Sequence, residues 1–224
     1  MQTAFSKEFD AKKLKLNYLV STPDGFDKEK ESLPMIVFLH GAGERGDNVN
    51  DIKCHGIPKL FATGHSPTCP DLRVITLSPQ CPWDCVWNTL VHQVAQLIDE
   101  VAEEYNVDKT KISVTGLSMG GFGSYELATA YPFKFSALAM CCGGGMEWRA
   151  NMISHMPIRL YHGLDDDLVL PERTVTLANA MKAYGANPDV YLIEGVDHGV
   201  WNIAYDKTDL ISWLASQVNE RMNG

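Results

Sequence analysis

The chain has 224 residues, 45% of them hydrophobic, which suits one globular domain spanning 1–224 with a sizeable core. Its 19 basic and 28 acidic residues give a formal charge of −9 with no basic block, which argues against nucleic acid and anionic membrane surfaces as partners. No apolar stretch approaches the roughly 20 residues that cross a bilayer, and the N-terminal MQTAFSKEFDAKKLKL lacks the apolar run of a secretory signal, so a cytoplasmic protein is expected unless a signal has been trimmed.

In chain order, KLKLNYLV (13–20) alternates as a half-buried strand does, and MIVFLH (35–40) is a short apolar run of the kind buried on both faces. RVITLS (73–78) repeats that pattern. Val91, Val94, Ala95, Ile98, Val101, Ala102 and Tyr105 recur at steps of three and four, the apolar face of an amphipathic helix. KISVTG (111–116) predicts another strand, and the helix-like run FGSYELATAYP follows it after GLSMGG. Strands are also expected at FSALAMCC (135–142), IRLYHG (158–163) and DVYLIEG (189–195). ERTVTLANAMKAYG (172–185) predicts a helix entered after Pro171 and stopped at Gly185. TDLISWLASQV (208–218) predicts a final helix capped by Thr208 that buries Leu210, Ile211, Leu214 and Val218. Apolar strands alternating with helices imply an α/β fold, a mostly parallel doubly wound sheet of about seven or eight strands flanked by helices. Chemistry in such a fold sits in the loops beyond the C-terminal ends of the strands.

The loop GLSMGG (116–121) lies at such an end and matches GxSxG, a sharp strand-to-helix turn in which small residues hold a serine hydroxyl clear of the sheet. Ser118 is the candidate nucleophile, and Gly121 and Gly123 let the following helix approach closely. A serine needs a base, and the base needs an orienting acid, which in this chain order come later, acid first. Of the three histidines after Ser118, His155 lies in an irregular segment, and His162 closes a strand ahead of any acid. His198 follows the last strand and is left as the base. HGLDDDLVLP supplies Asp165, Asp166 and Asp167 as acids; residue chemistry alone does not separate them, and the two not used are available to cap the next helix. Glu147, after the preceding strand, is the alternative position for the acid.

GLSMGG, HGLDDDLV and DHG in this order resemble the α/β-hydrolase superfamily, and LPMIVFLHGAGERG with VITLSPQCPW resembles its small carboxylesterase and dienelactone-hydrolase-like branch, from about residue 33 to the C-terminus. The resemblance implies an acid loop of the form HGxxDxxV, which selects Asp166 when laid on His162, Gly163 and Val169. It implies an oxyanion hole made by the backbone N–H groups of Met119 and Ala42, with His40 structural. Dienelactone hydrolases proper use a cysteine nucleophile, so serine at 118 points to the esterase side of the branch. The implied activity is hydrolysis of a small-molecule ester through an acyl-enzyme, on short-chain or aryl esters of acetyl or feruloyl type. No metal or organic cofactor is required. The rival readings are peptidase, thioesterase or acyltransferase chemistry with the same triad, and a non-catalytic binding protein of this fold.

Glu44 and Arg45, beside the oxyanion loop, are expected to contact substrate or to pair with each other. Trp83, Trp87, Trp148 and Trp201 stand near the loops as candidate walls of the substrate site. Residues 143–157 leave room for a short excursion and exclude a large lid. The six cysteines, Cys54, Cys69, Cys81, Cys85, Cys141 and Cys142, are expected as thiols, with a local bridge between Cys81 and Cys85 as the alternative. The sequence is compatible with a homodimer.

Overall fold

The computed structural model describes residues 1–9, 14–63 and 72–223; Lys13, at the start of the first expected strand, and Cys69 lie outside the described residues. The strands are β1 (Gln2–Phe9), β2 (Leu14–Ser21), β3 (Leu33–Leu39), β4 (Ile75–Gln80), β5 (Val107–Leu117), β6 (Ala137–Cys141), β7 (Ile158–Gly163) and β8 (Asp189–Ile193). The helices are α1 (Gly56–Thr63), α2 (Val91–Glu104), α3 (Met119–Ala130), α4 (Glu172–Ala183), α5 (Trp201–Lys207) and α6 (Leu210–Ser216). Among the described residues these eight strands form one sheet in the order β1-β2-β4-β3-β5-β6-β7-β8. The β1–β2 and β2–β4 pairings are antiparallel, and every pairing from β4 through β3 to β8 is parallel.

The unbroken apolar runs follow from cover on both faces. Along β3, Met35, Val37 and Leu39 enter the core under α2, α3 and α4, while Ile36 and Phe38 enter a second core under α1, α5 and α6. Successive side chains of a strand point to opposite faces, so an alternating pattern would have left one of these cores polar. Phe38 packs edge-on against Tyr205 of α5, with centroids 5.7 Å apart, and replacing it with alanine would cost about 3–5 kcal/mol.

Several expectations shift. β1 was not expected, because as an edge strand it is mostly exposed and its polar sequence carries little apolar signal. α1 and α5 are helices of eight and seven residues, too short to display a helical period. In α6 the N-cap is Asp209, with no side-chain capping bond, and not Thr208, which stands one residue earlier and whose hydroxyl accepts the Leu210 N–H at 3.2 Å; Leu210, Ile211 and Leu214 are buried as expected. Val218 lies beyond the end of that helix and is exposed, so it does not join the core. Helix α4 has Pro171 as its N-cap and no side-chain capping bond, so neither Asp165 nor Asp167 caps it. Residues 142–157 between β6 and β7 carry one short 3-10 helix, Glu147–Ile153, and no large lid. Cys81 is an unbridged buried thiol, so no disulfide joins it to Cys85. Among the described residues no helix is long and apolar enough to cross a membrane.

Candidate active site

The parallel arrangement places the C-terminal ends of β3 to β8 along one edge of the sheet, and each candidate side chain lies in a segment that follows one of them. Ser118 follows β5 with φ +52° and ψ −120°, a strained backbone that costs about 1–3 kcal/mol. Its neighbours allow the turn because they lack a Cβ: one at Gly116 would lie 2.2 Å from Gly120 O, and one at Gly120 would lie 1.9 Å from Leu39 O. The Ser118 N–H donates to Cys141 O at 2.9 Å, which ties the turn to the end of β6.

Ser118 Oγ lies 2.9 Å from His198 Nε2, and His198 Nδ1 lies 2.7 Å from Asp166 Oδ2. A carboxylate only accepts, so Nδ1 carries the proton and Nε2 is left to accept the serine O–H. Of the three neighbouring aspartates only Asp166 is buried; Asp165 and Asp167 face solvent, and so does Glu147. Asp166 Oδ1 accepts the N–H groups of Leu168 at 3.0 Å and Val169 at 2.9 Å. Burial pushes the Asp166 carboxyl up, but the bond from His198 and those from Val169 and Leu168 outweigh it and hold it below the usual carboxylate range. Two backbone bonds, Leu164 N–H to Ile193 O and Asp165 N–H to Val196 O, fasten the acid loop to the histidine loop.

A second imidazole holds the same carboxylate. His162, fully buried, places Nε2 3.1 Å from Asp166 Oδ2 and 2.7 Å from Val169 O, two acceptors that require a proton on that nitrogen. Its Nδ1 meets Thr174 Oγ1 at 2.7 Å, which links the acid to α4. Sequence reasoning set His162 aside as a base and missed this orienting contact; the HG pair that opens the acid loop was the available signal. His155 bonds Pro132 O at 2.9 Å instead of joining the cluster.

Met119 and Ala42 each occupy the first position of a helical turn, Met119 in α3 and Ala42 in the 3-10 turn Ala42–Glu44, where N–H groups have no intrahelical acceptor. The two turns are adjacent, since a Cβ on Gly41 would come within 3.7 Å of Ser118 Cβ. His40 is bonded at both nitrogens within the scaffold, Nδ1 to Gly41 O at 2.6 Å and Nε2 accepting the Cys81 N–H at 2.9 Å.

The other candidate residues divide. Arg45 does not pair with Glu44; its Nε donates to Ala42 O at 3.1 Å, bracing the oxyanion loop. Glu44 is buried, with Oε2 3.6 Å from His40 Nδ1 and Oε1 3.6 Å from His55 Nε2. Burial raises its pKa, but His40 and His55 outweigh that and hold the carboxyl below its ordinary value. Trp201, at the start of α5, stands edge-on to His198 with centroids 5.3 Å apart, and α5 is anchored to the nucleophile's strand by Tyr205 OH and Thr115 Oγ1 at 2.8 Å. Trp83 and Trp148 are exposed. Trp87 is not a wall of the site: it is 1% exposed, its indole N–H donates to His40 O at 2.9 Å, and Gly123 of α3 lies against its Cβ. Cys142 lies buried beneath the cluster, and burial pushes its thiol far up, so it stays protonated.

The model of the dienelactone hydrolase family matches residues 58–218. Feruloyl esterase C of Emericella nidulans is 26% identical over 206 residues, covering 84% of this chain and 74% of that protein. A bifunctional acetylxylan esterase/xylanase of Neocallimastix patriciarum is 31% identical over 87 residues, covering 39% of this chain and 13% of that protein. Among solved structures, a thermostable esterase superposes with a TM-score of 0.82 at 28% identity, over 97% of this chain and 63% of its own. The chain thus spans less than two thirds of the length of these last two relatives.

Proposed function

Because the chain belongs to the dienelactone hydrolase family, we propose that it is a serine carboxylic-ester hydrolase acting on short-chain or aryl esters of acetyl or feruloyl type. The continuous relay from Ser118 Oγ through His198 to Asp166 carries this reading. The relatives named feruloyl esterase and acetylxylan esterase support the choice of ester.

In this reading His198 Nε2 takes the Ser118 proton as Oγ attacks the ester carbonyl carbon. The negative charge that develops on the carbonyl oxygen is held by the N–H groups of Met119 and Ala42, each worth about 10² to 10³ in rate. Asp166, kept ionised by its bonds, stabilises the imidazolium and prevents the ring from turning. His198 then passes its proton to the leaving alcohol, and the acyl group stays on Ser118. Water, deprotonated by the same nitrogen, releases the acid and restores the serine. A cysteine in place of Ser118 would make a better-ionised nucleophile, so a serine here depends more fully on His198.

The test is a panel of p-nitrophenyl esters of rising acyl length, beside feruloylated and acetylated sugars, a thioester and an aminoacyl amide. Ester turnover should dominate and should fall by roughly 10⁴ or more in Ser118→Ala and in His198→Ala, with the fold intact by circular dichroism. Preference for the amide or thioester, or unchanged turnover in either variant, would overturn the reading.

A further inference from the structure

The Trp201 ring that stands against His198 also packs on His55, with centroids 5.4 Å apart, and His55 in turn faces Glu44. Glu44 Oε1 lies 3.6 Å from His55 Nε2 and 3.7 Å from Cys54 Sγ, and one ligand atom from each of the three side chains lies within 4.8 Å of the others. The carboxylate–imidazole separation is longer than a hydrogen bond. Both separations are near the edges of a tetrahedron around one zinc ion, about 3.3–3.5 Å for bonds of about 2.0–2.3 Å.

A second observation concerns the other oxygen of the same carboxylate. The Glu44 side chain is 9% exposed, and its Oε2, 3.6 Å from His40 Nδ1, is buried with no hydrogen-bond partner among the described residues. His40 and His55 keep the carboxylate ionised, and the oxygen left without a bond is one that a bound cation would satisfy. Among the described residues no lysine or arginine forms an ion pair with it; the adjacent Arg45 is turned to Ala42 O and Cys85 O.

We propose that Glu44, Cys54 and His55 form a binding site for a divalent cation of borderline softness, Zn2+ by ligand chemistry. A carboxylate, a thiolate and an imidazole suit zinc better than magnesium or calcium, which take oxygen ligands. Cys54 is exposed and His55 half-buried, so rotation of either closes the remaining sulfur–nitrogen edge and leaves a fourth position open to water. The Cys54 thiol now donates to Asp51 O at 3.0 Å; on binding, the Zn–S bond forms as the S–H bond breaks and the proton passes to solvent. Glu44 shares its turn with Ala42, so a bound ion staples the oxyanion loop to the segment that enters α1.

The site is independent of the esterase reading, and its test needs no turnover. Titration of the reduced full chain with Zn2+ against a chromophoric chelator should show one tight equivalent, and Co2+ should give a thiolate charge-transfer band in the near ultraviolet. At about 100-fold excess over its Kd, Zn2+ should raise Tm by about 5–10 °C. Cys54→Ala and His55→Ala should each weaken binding by tenfold or more, and Cys54→Ala should abolish the cobalt band, while Ser118→Ala binds as the wild type does. The proposal is overturned if the wild type takes up no ion at micromolar Zn2+, or if both variants bind unchanged. Loss of the ion in His198→Ala alone would also overturn it, since that places the ion at the Cys142, Asp166 and His198 cluster, the other described group with ligand atoms close enough together.

Discussion

Asp166 and Glu44 are both buried carboxylates, each one imidazole away from the Trp201 ring, Asp166 through His198 and Glu44 through His55. Asp166 accepts four hydrogen bonds, two from backbone N–H groups and two from histidines, whereas Glu44 keeps an oxygen with none among the described residues. The contrast separates two uses of a buried charge. A carboxylate whose lone pairs are all occupied is immobilised and can hold another side chain in one orientation. One with an unoccupied lone pair carries an unmet cost, which the cation proposed above would relieve.

The largest test of that difference compares Asp166→Asn with Glu44→Gln in ester turnover. The first should lose about 10⁴ in kcat, because an amide both removes the charge that stabilises the imidazolium and permits the wrong tautomer. The second should lose less than about 10², and equal losses would erase the distinction. A smaller effect is expected one contact further back. His162→Leu removes a bond to a charged group and should cost about 1.5–3 kcal/mol in stability. If His162 positions Asp166, kcat should fall with KM little changed and the acid limb of the pH profile should move; a purely structural role would lower Tm alone.

Acid provides a third handle. Both carboxylates are held below their ordinary values in the folded chain, so each stabilises it above the unfolded range near pH 4, and that contribution is lost as pH falls through the depressed folded value. The fall of Tm between about pH 5 and pH 3 should therefore be shallower in Glu44→Gln than in the wild type, and parallel curves would show that Glu44 is not held ionised. The smallest effect concerns the tryptophans. Trp83→Ala should change stability by no more than about 0.5 kcal/mol, against about 3–5 kcal/mol for Trp87→Ala, and substrate affinity should respond to the exposed residue.

Much of the sheet was legible because its parallel strands carry short apolar runs, such as MIVFL in β3 and ALAM in β6, that punctuation by glycine and proline makes visible. β1 was not legible, since an exposed edge strand needs no apolar face, and α3 shows no stripe because it is buried on nearly every side. At the site, Ser118 was visible through the glycines its turn demands, Gly116 and Gly120, which stand two residues to either side of it. His198 was reached by order along the chain and Asp166 by resemblance.

What the sequence determined by itself was therefore short-ranged or ordinal: a doubly wound sheet, a serine in a turn only glycine neighbours permit, and an acid loop and a histidine after it. The tertiary structure decided which aspartate turns inward, that His162 grips that aspartate from behind, that Trp87 belongs to the core, and that Glu44, Cys54 and His55 meet. Those outcomes depend on burial and on contacts between segments far apart in the chain, which arise only when both faces of the sheet are covered and the loops at its edge are drawn together.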